Sequence, residues 1–239
     1  MNNRPLLDKI AVITGASRGI GLALAQALAT AGCSLAVCSR DTKFIPGTEL
    51  ADQHGVKVLV HECDVRNEIS VADFFRSVRD RYSTFDFLIN NAGAAHPAAG
   101  VEDLAVDDWR DVIETNLTGT FLCTQAALPI MNRGGAIVNN LSVASKRVFI
   151  NQAGYIASKH GAKGLTDAVR EELRPRGIRV IGLVAGATDT DLWNTFWPDA
   201  PRENMLSPDT VACAIVNALG LPAKATVEEI VIAPTTGPL

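Results

Sequence analysis

No C-x-x-C pair, no block of like charge and no apolar run of the roughly 18 residues needed to cross a bilayer occurs in this sequence. The five cysteines, Cys33, Cys38, Cys63, Cys123 and Cys213, are odd in number and unpaired in spacing. That excludes a legible disulfide framework or zinc finger and predicts free thiols, mostly buried, in a reducing cytosol. Lys and Arg total 22 against 26 Asp and Glu, a formal net charge of -4. The basic face of a dedicated nucleic-acid binder is therefore missing. Histidines number only 4, with no pair at metal-ligand spacing, so no metal site is expected. Met1 to Lys9 lacks the apolar stretch of a signal peptide. The expectation is a soluble cytoplasmic protein with neither nucleic acid nor membrane as partner.

What is present is 47% hydrophobic residues over 239 positions, enough to bury a full core. Short apolar runs at Lys9–Thr14, Ser34–Cys38, Val56–Cys63, Phe85–Asn90, Ala136–Leu141, Ile178–Val184 and Glu229–Ala233 read as strands. Between them, Gly19–Ala31, Ser70–Tyr82, Asp107–Met131, Ala153–Arg174 and Pro208–Leu219 carry helical patterns. Strand and helix alternate throughout, the signature of an α/β fold with a doubly wound parallel sheet of seven strands. No Ser/Gly-rich linker or repeat divides the chain, so residues 1–239 are expected to form a single catalytic domain. Residues 188–206 break the rhythm just after a strand's carboxyl end, where such sheets bind ligands, and hold Trp193, Phe196 and Trp197. This segment is a candidate substrate lid.

The first strand is followed by Thr14-Gly15-Ala16-Ser17-Arg18-Gly19-Ile20-Gly21 and then a helix. Glycines there let the backbone approach a pyrophosphate, and the helix amino terminus turns free N–H groups toward it, which points to a dinucleotide. At the end of the second strand, where a carboxylate would bind ribose hydroxyls and repel a 2′-phosphate, the chain reads Ser39-Arg40. Arg40 and Arg18 suit a 2′-phosphate, so NADP(H) is expected in preference to NAD(H).

The spacing Gly-x-x-x-Gly-x-Gly resembles the short-chain dehydrogenase/reductase family, and further motifs follow in order across nearly the whole chain. They are Asp64-Val65, Asn90-Asn91-Ala92-Gly93, Asn116, Ser142 and Tyr155-x-x-x-Lys159, with Ser142 thirteen residues before Tyr155. The resemblance implies a Rossmann-type oxidoreductase using NAD(P). It places Asp64 at the adenine amino group, with Val65 beside it, and Asn91, Ala92 and Gly93 under the adenosine ribose. It gives Lys159 a hydrogen bond to the nicotinamide ribose and Asn116 a water behind that lysine. Where the family usually has Pro-Gly after the sixth strand, this chain has Ala185-Gly186. That substitution is expected to loosen the loop, leaving Gly186, Thr188 and Thr190 as cofactor contacts.

Hydride transfer to a carbonyl leaves charge on oxygen, so a proton donor and a polarising group are required. Tyr155 is the natural donor, and Lys159, four residues on, lies on the same helix face, where its ammonium is expected to lower the phenol pKa. Ser142 is expected to hold the substrate oxygen. The substrate pocket is expected to draw on Ala94, Ala95, His96, the segment Val143–Phe149 and the aromatics Trp193, Phe196 and Trp197. Such walls suit an apolar or aromatic ketone or aldehyde, or the matching secondary alcohol.

Two other readings compete. A 3-oxoacyl-(acyl-carrier-protein) reductase needs a basic patch for its acidic carrier, which Arg170, Arg174, Arg176 and Arg179 would supply. A catalytically silent NADP sensor would be expected to have lost Tyr155 or Lys159, and both are present. The resemblance also implies a homo-oligomer, a tetramer or a dimer, with Phe121, Leu122, Leu165 and Val169 as candidate contact positions.

Overall fold

Strand segments such as Ile10–Thr14 (β1), Ser34–Ser39 (β2), Phe85–Asn90 (β4) and Arg179–Ala185 (β6) are apolar at consecutive positions, so both faces of each must be covered. In the computed structural model, which describes residues 4–222 and 224–237, they are. Together with β3 (Val58–Glu62), β5 (Met131–Asn140) and β7 (Glu229–Ile232) they form one seven-stranded sheet in the order β3-β2-β1-β4-β5-β6-β7. Every pairing is parallel, and the fold is the doubly wound, Rossmann-like α/β architecture.

Successive strand residues point to opposite layers. Ile13, Val37, Ile89, Val138 and Leu183 pack beneath α1 (Gly19–Thr30) and α8 (Pro208–Leu219), with Leu24, Leu28, Val211 and Ile215 from the helices. Val12, Ala36, Leu88, Ile137 and Val180 face the other way, against Phe74 and Val78 of α3 (Glu68–Tyr82) and Cys123 of α5 (Gly119–Ala127). Strand order reverses between β1 and β4, and the carboxyl ends of these two strands open the crevice that holds the site. Among the described residues no helix is long and apolar enough to cross a membrane. Cys33, Cys38, Cys63 and Cys123 are buried free thiols, while Cys213 is exposed.

Several boundaries differ from the sequence expectation. A helix α2 (Gly47–His54) follows β2; it buries only Leu50, too narrow a stripe to show as periodicity. The expected long helix Asp107–Met131 is three pieces: α4 (Val106–Ile113), one wide π turn (Glu114–Thr118), and α5, which stops at Ala127. Met131 belongs instead to β5, where it pairs with Phe85. The extra residue in the π turn is held by the Asn116 side chain, which donates to the Ala94 carbonyl (2.9 Å) and to Ser158 Oγ (2.9 Å) and accepts from the Ala94 N–H (2.8 Å).

The arginine stripe Arg170, Arg174, Arg176 and Arg179 is not an open basic patch. Arg170, near the end of α6 (Ala153–Leu173), and Arg179 are buried. Arg170 donates to the Val180 and Glu228 carbonyls, and Arg179 to the Ala218 and Leu219 carbonyls at the end of α8. Arg174 is paired with Glu171 and Glu228, and Arg176 donates to the Leu128 carbonyl. Three of these guanidinium groups satisfy backbone carbonyls and the fourth satisfies carboxylates, which a stripe of spacings does not reveal.

Candidate active site

A cleft of about 1210 Å³ runs across the carboxyl ends of the strands. At one end lies the glycine turn. Gly15 sits at φ +65°, and a Cβ on it would fall 2.7 Å from Ala92 Cα, so only glycine lets β1 and the loop after β4 meet. A Cβ on Gly21 would run into the Gly15 carbonyl and the Asn91 amide. The amino terminus of α1 opens onto this end of the cleft, where Ser17 Oγ and Ser39 Oγ are hydrogen-bonded at 2.9 Å.

Arg18, Arg40 and Asp41 also line this end. Arg18 makes an exposed ion pair with Asp191 (3.7 Å). The Asp41 carboxylate accepts from the Lys43 N–H (3.0 Å), closing its own turn. Asp64 is held by Arg66, whose Nε reaches its two oxygens at 2.9 and 3.1 Å, and Arg66 also pairs with Asp111 of α4. The guanidinium keeps the Asp64 carboxyl below its ordinary range. The Asn91 amide ties three strands together, donating to the Thr14 and Gly15 carbonyls (3.1 and 3.0 Å) and accepting from Asn140 Nδ2 (3.0 Å).

Ser142, Tyr155 and Lys159 meet on one wall of the cleft. Ser142 has φ +86° and ψ 156°, a region that side-chain-bearing residues rarely adopt. Its N–H donates to the Leu183 carbonyl (3.2 Å), and its own carbonyl accepts from Ser145 N–H (3.0 Å) and Ser145 Oγ (2.7 Å). Those bonds hold the strained turn and aim the hydroxyl at Tyr155, to which it is hydrogen-bonded.

Lys159 is 5% exposed, donates from Nζ to the Asn140 carbonyl (2.8 Å), and stands 5.6 Å from the centre of the Tyr155 ring. Burial pushes its pKa down to about 8. The expectation that Lys159 lowers the tyrosine pKa is corrected here. Burial raises the Tyr155 phenol, the bond from Ser142 pulls it back only in part, and the balance is upward. Gly93 closes the arrangement: a Cβ there would lie 3.4 Å from Asn116 Oδ1 and 3.9 Å from Lys159 Nζ.

Beyond this wall the segment 188–206 folds over the cleft. Trp193 opens a short helix, α7 (Trp193–Phe196), and its Nε1 donates to the Thr188 carbonyl (2.9 Å). Trp193 and Trp197 line the cleft with ring centres 6.1 Å apart, whereas the Phe196 side chain lies outside the described residues. Arg202 braces the segment through Asp189 (2.8 Å) and the Thr190 carbonyl (2.9 Å). The loop after β6 is pinned despite Ala185: Gly186 N–H donates to the Ile232 carbonyl (2.7 Å) and Leu206 N–H to the Ala187 carbonyl (2.9 Å). Gly186, Thr188 and Thr190 all reach the cleft.

His96 does not join the substrate side. It is buried away from the cleft lining, with Nδ1 against the Pro97 carbonyl (2.7 Å) and its ring packed on Gly154. The cleft instead recruits Phe44, Ile150, Gln152, Leu192 and Val231. Of these, Gln152 had a usable signal, since it precedes Tyr155 by three residues at the start of a helix.

A family model described as short chain dehydrogenase matches residues 9–201. A 3β-hydroxysteroid dehydrogenase of Mediterraneibacter gnavus is 37% identical over 187 residues, covering 77% of this chain and 68% of that one. A 3-oxoacyl-[acyl-carrier-protein] reductase of Synechocystis is 35% identical over 191 residues, 78% of this chain and 77% of the relative. Among solved structures, an alcohol dehydrogenase from the archaeon Thermococcus sibiricus complexed with 5-hydroxy-NADP superposes with a TM-score of 0.90 at 34% identity, covering 96% of this chain and 97% of that one.

Proposed function

This chain belongs to the short-chain dehydrogenase/reductase family, and from that premise we propose an NADP(H)-dependent oxidoreductase acting on a carbonyl or secondary alcohol with an apolar or aromatic body. The observation that carries the reading is the meeting of Ser142, Tyr155 and Lys159 in a cleft whose far end is bounded by the glycine turn and Arg40. One catalytic domain with residues 188–206 as its lid is part of this proposal.

The residues at that far end fit a phosphorylated dinucleotide. Gly15 and Gly21 leave room for nothing but backbone, the α1 amino terminus faces the cleft, and Arg18 and Arg40 are cations. The Asp41 carboxylate, which accepts from the Lys43 N–H, keeps its charge at this end of the cleft and stands against two guanidinium groups. The 5-hydroxy-NADP complex of the archaeal relative supports the same choice. In this reading Gly15, Ser17, Arg18, Gly19, Ile20, Gly21, Arg40, Asp64, Val65, Asn91, Ala92 and Gly93 hold the adenosine and phosphate portions. Tyr155, Lys159, Gly186, Thr188 and Thr190 hold the nicotinamide end.

When bound, NADPH supplies the hydride. Ser142 Oγ–H holds the substrate oxygen against the growing charge, and Tyr155 Oη gives that oxygen its proton. A raised phenol pKa suits this direction, because the proton stays on Oη across the neutral range. Lys159, protonated below about pH 8, stabilises the phenolate left behind. Asn116 fixes the loop at Ala94 and Ser158, which keeps Lys159 in place. Trp193 and Trp197 exclude water and offer apolar surface.

The Synechocystis relative favours a second reading, reduction of a 3-oxoacyl thioester, while the burial of Arg170 and Arg179 removes the docking patch that reading had in the sequence. We further propose a homo-oligomer built on the helices that carry Phe121, Leu122, Leu165 and Val169, of which Phe121 is exposed, working in the cytosol where the buried thiols stay reduced. The test is consumption of NADPH and of NADH against ketones, aldehydes, diketones and a 3-oxoacyl thioester. Tyr155→Phe is run in parallel and should cut turnover by about 100-fold or more while NADPH binding persists. Turnover equal in the variant would refute the assignment.

A further inference from the structure

Charge is spread unevenly along the cleft. Its lining carboxylates are tied to the nucleotide end: Asp41 follows β2, Asp64 is held by Arg66, and Asp191 pairs with Arg18 of the glycine turn (3.7 Å). On the substrate side the turn after Ser142 contributes Lys146, Arg147, Phe149 and Ile150, and among the described residues that stretch contains no carboxylate. Lys146 is neutralised by Glu229 of β7 (2.5 Å), which also takes Lys163 (3.9 Å). Arg147 is exposed, and among the described residues no ion pair or side-chain hydrogen bond engages its guanidinium. Its backbone is placed by its N–H, which donates to the Val143 carbonyl (3.0 Å), one turn from Ser142. The cleft lining also leaves apolar surface in water: Ile150 is 89% exposed, Val231 62% and Trp197 44%. Exposed apolar side chains gathered at a cleft mark where a ligand lays its own apolar surface. A cation among them fits a ligand that is apolar in its body and anionic at its end.

We propose that Arg147 is a specificity-determining residue that receives a carboxylate at the far end of the substrate, so the substrate class is an apolar or aryl ketone, or the matching secondary alcohol, bearing a remote carboxylate. The inference rests on the carbonyl chemistry proposed above, which sets the reacting carbonyl at Ser142 and Tyr155. The apolar body lies against the exposed apolar lining, and the carboxylate meets the guanidinium. A planar guanidinium takes both oxygens of a carboxylate in parallel hydrogen bonds, which a neutral ester cannot match. The arginine stem lies on apolar surface while its head stays in water, so the pair forms without burying a charge. A substrate ending in an ammonium would be repelled from the same place.

Three phenyl ketones of increasing reach test this, each against its methyl ester: 4-benzoylbutanoate, 6-benzoylhexanoate and 8-benzoyloctanoate. NADPH consumption gives the ratio of kcat/KM for acid over ester with the wild-type chain, Arg147→Gln and Arg147→Glu, and thermal melts establish that each variant is folded. Arg133→Gln serves as reference, since Arg133 is also exposed but lies near the start of β5, at the other end of the sheet. For at least one chain length the ratio is expected to fall about fivefold from wild type to Arg147→Gln, the upper range for an exposed ion pair, and by a comparable factor again in Arg147→Glu. The esters are reduced as before, Arg133→Gln keeps the wild-type ratio, and added salt narrows the difference. An unchanged ratio in Arg147→Gln at every length, or an equal fall in Arg133→Gln, overturns the role of Arg147 and leaves the carbonyl reading standing. Reduction of none of these ketones by wild-type protein that binds NADPH overturns the carbonyl reading, and the role of Arg147 with it.

Discussion

Replacing Lys159 by methionine should raise stability at neutral pH, and the gain should vanish in alkali. The lysine is 5% exposed, and its pKa falls from 10.5 to about 8 through desolvation. That fall corresponds to roughly 3 kcal/mol, at about 1.4 kcal/mol for each tenfold change in proton affinity. The sign follows from proton counts: between pH 8 and 10.5 the unfolded chain holds a proton that the folded chain has released, so wild-type stability rises with pH across that window. Below about pH 8 the full penalty is present, and above 10.5 it is gone. Methionine fills similar volume without a charge and loses one hydrogen bond to the Asn140 carbonyl, an offset of about 1 kcal/mol that does not vary with pH. The measurable quantity is therefore the change with pH in the stability difference between the two proteins. Urea unfolding of both at pH 7, 8, 9 and 10.5 should show the variant's relative stability falling by roughly 3 kcal/mol along the series. In melting temperature this is about 6 to 12 °C for a chain of this size. A difference constant across the series would mean that Lys159 titrates normally in the fold, and the account of a desolvated ammonium would be wrong.

Ser142→Gly and Ser142→Ala both remove the hydroxyl and should reduce turnover alike, but only glycine accepts φ +86° without strain. The glycine variant should melt about 2 to 4 °C above the alanine one, from a net gain of about 1 kcal/mol after its extra chain entropy, and equal melts would remove the strain argument. Arg40→Asp should weaken NADPH binding by about 10- to 100-fold, the worth of a charge-assisted bond, and leave NADH binding unchanged or tighter. Fluorescence titration with both cofactors checks it, and an equal loss for both would make Arg40 structural only.

The sheet was legible because strands covered on both faces must be apolar without interruption, and runs such as IAVIT and RVIGLVA have few other uses. The glycine turn and Tyr155-x-x-x-Lys159 were legible because local spacing dictates their geometry. What escaped depended on contacts distant in sequence. The π turn at Glu114–Thr118 has no periodic signature, since it exists through the grip of Asn116 on Ala94 and Ser158. The phenol pKa of Tyr155 was read from spacing as lowered by the nearby Lys159 ammonium, whereas depth of burial decides it and raises it, and depth is a property of the whole fold. His96 looked like a loop residue at the cleft, but Gly154, far along the chain, leaves the space that buries its ring.

Two unfavourable local features stand side by side on this wall: positive φ at Ser142 and a desolvated ammonium at Lys159. Each is something a reaction can use: an aimed hydroxyl, and a cation that need not be dehydrated again. A chain optimised for stability alone would place glycine at 142 and an apolar side chain at 159, and both changes would disarm the wall. The costs and the chemistry therefore lie on the same residues, so a substitution that stabilises this wall should be one that silences it.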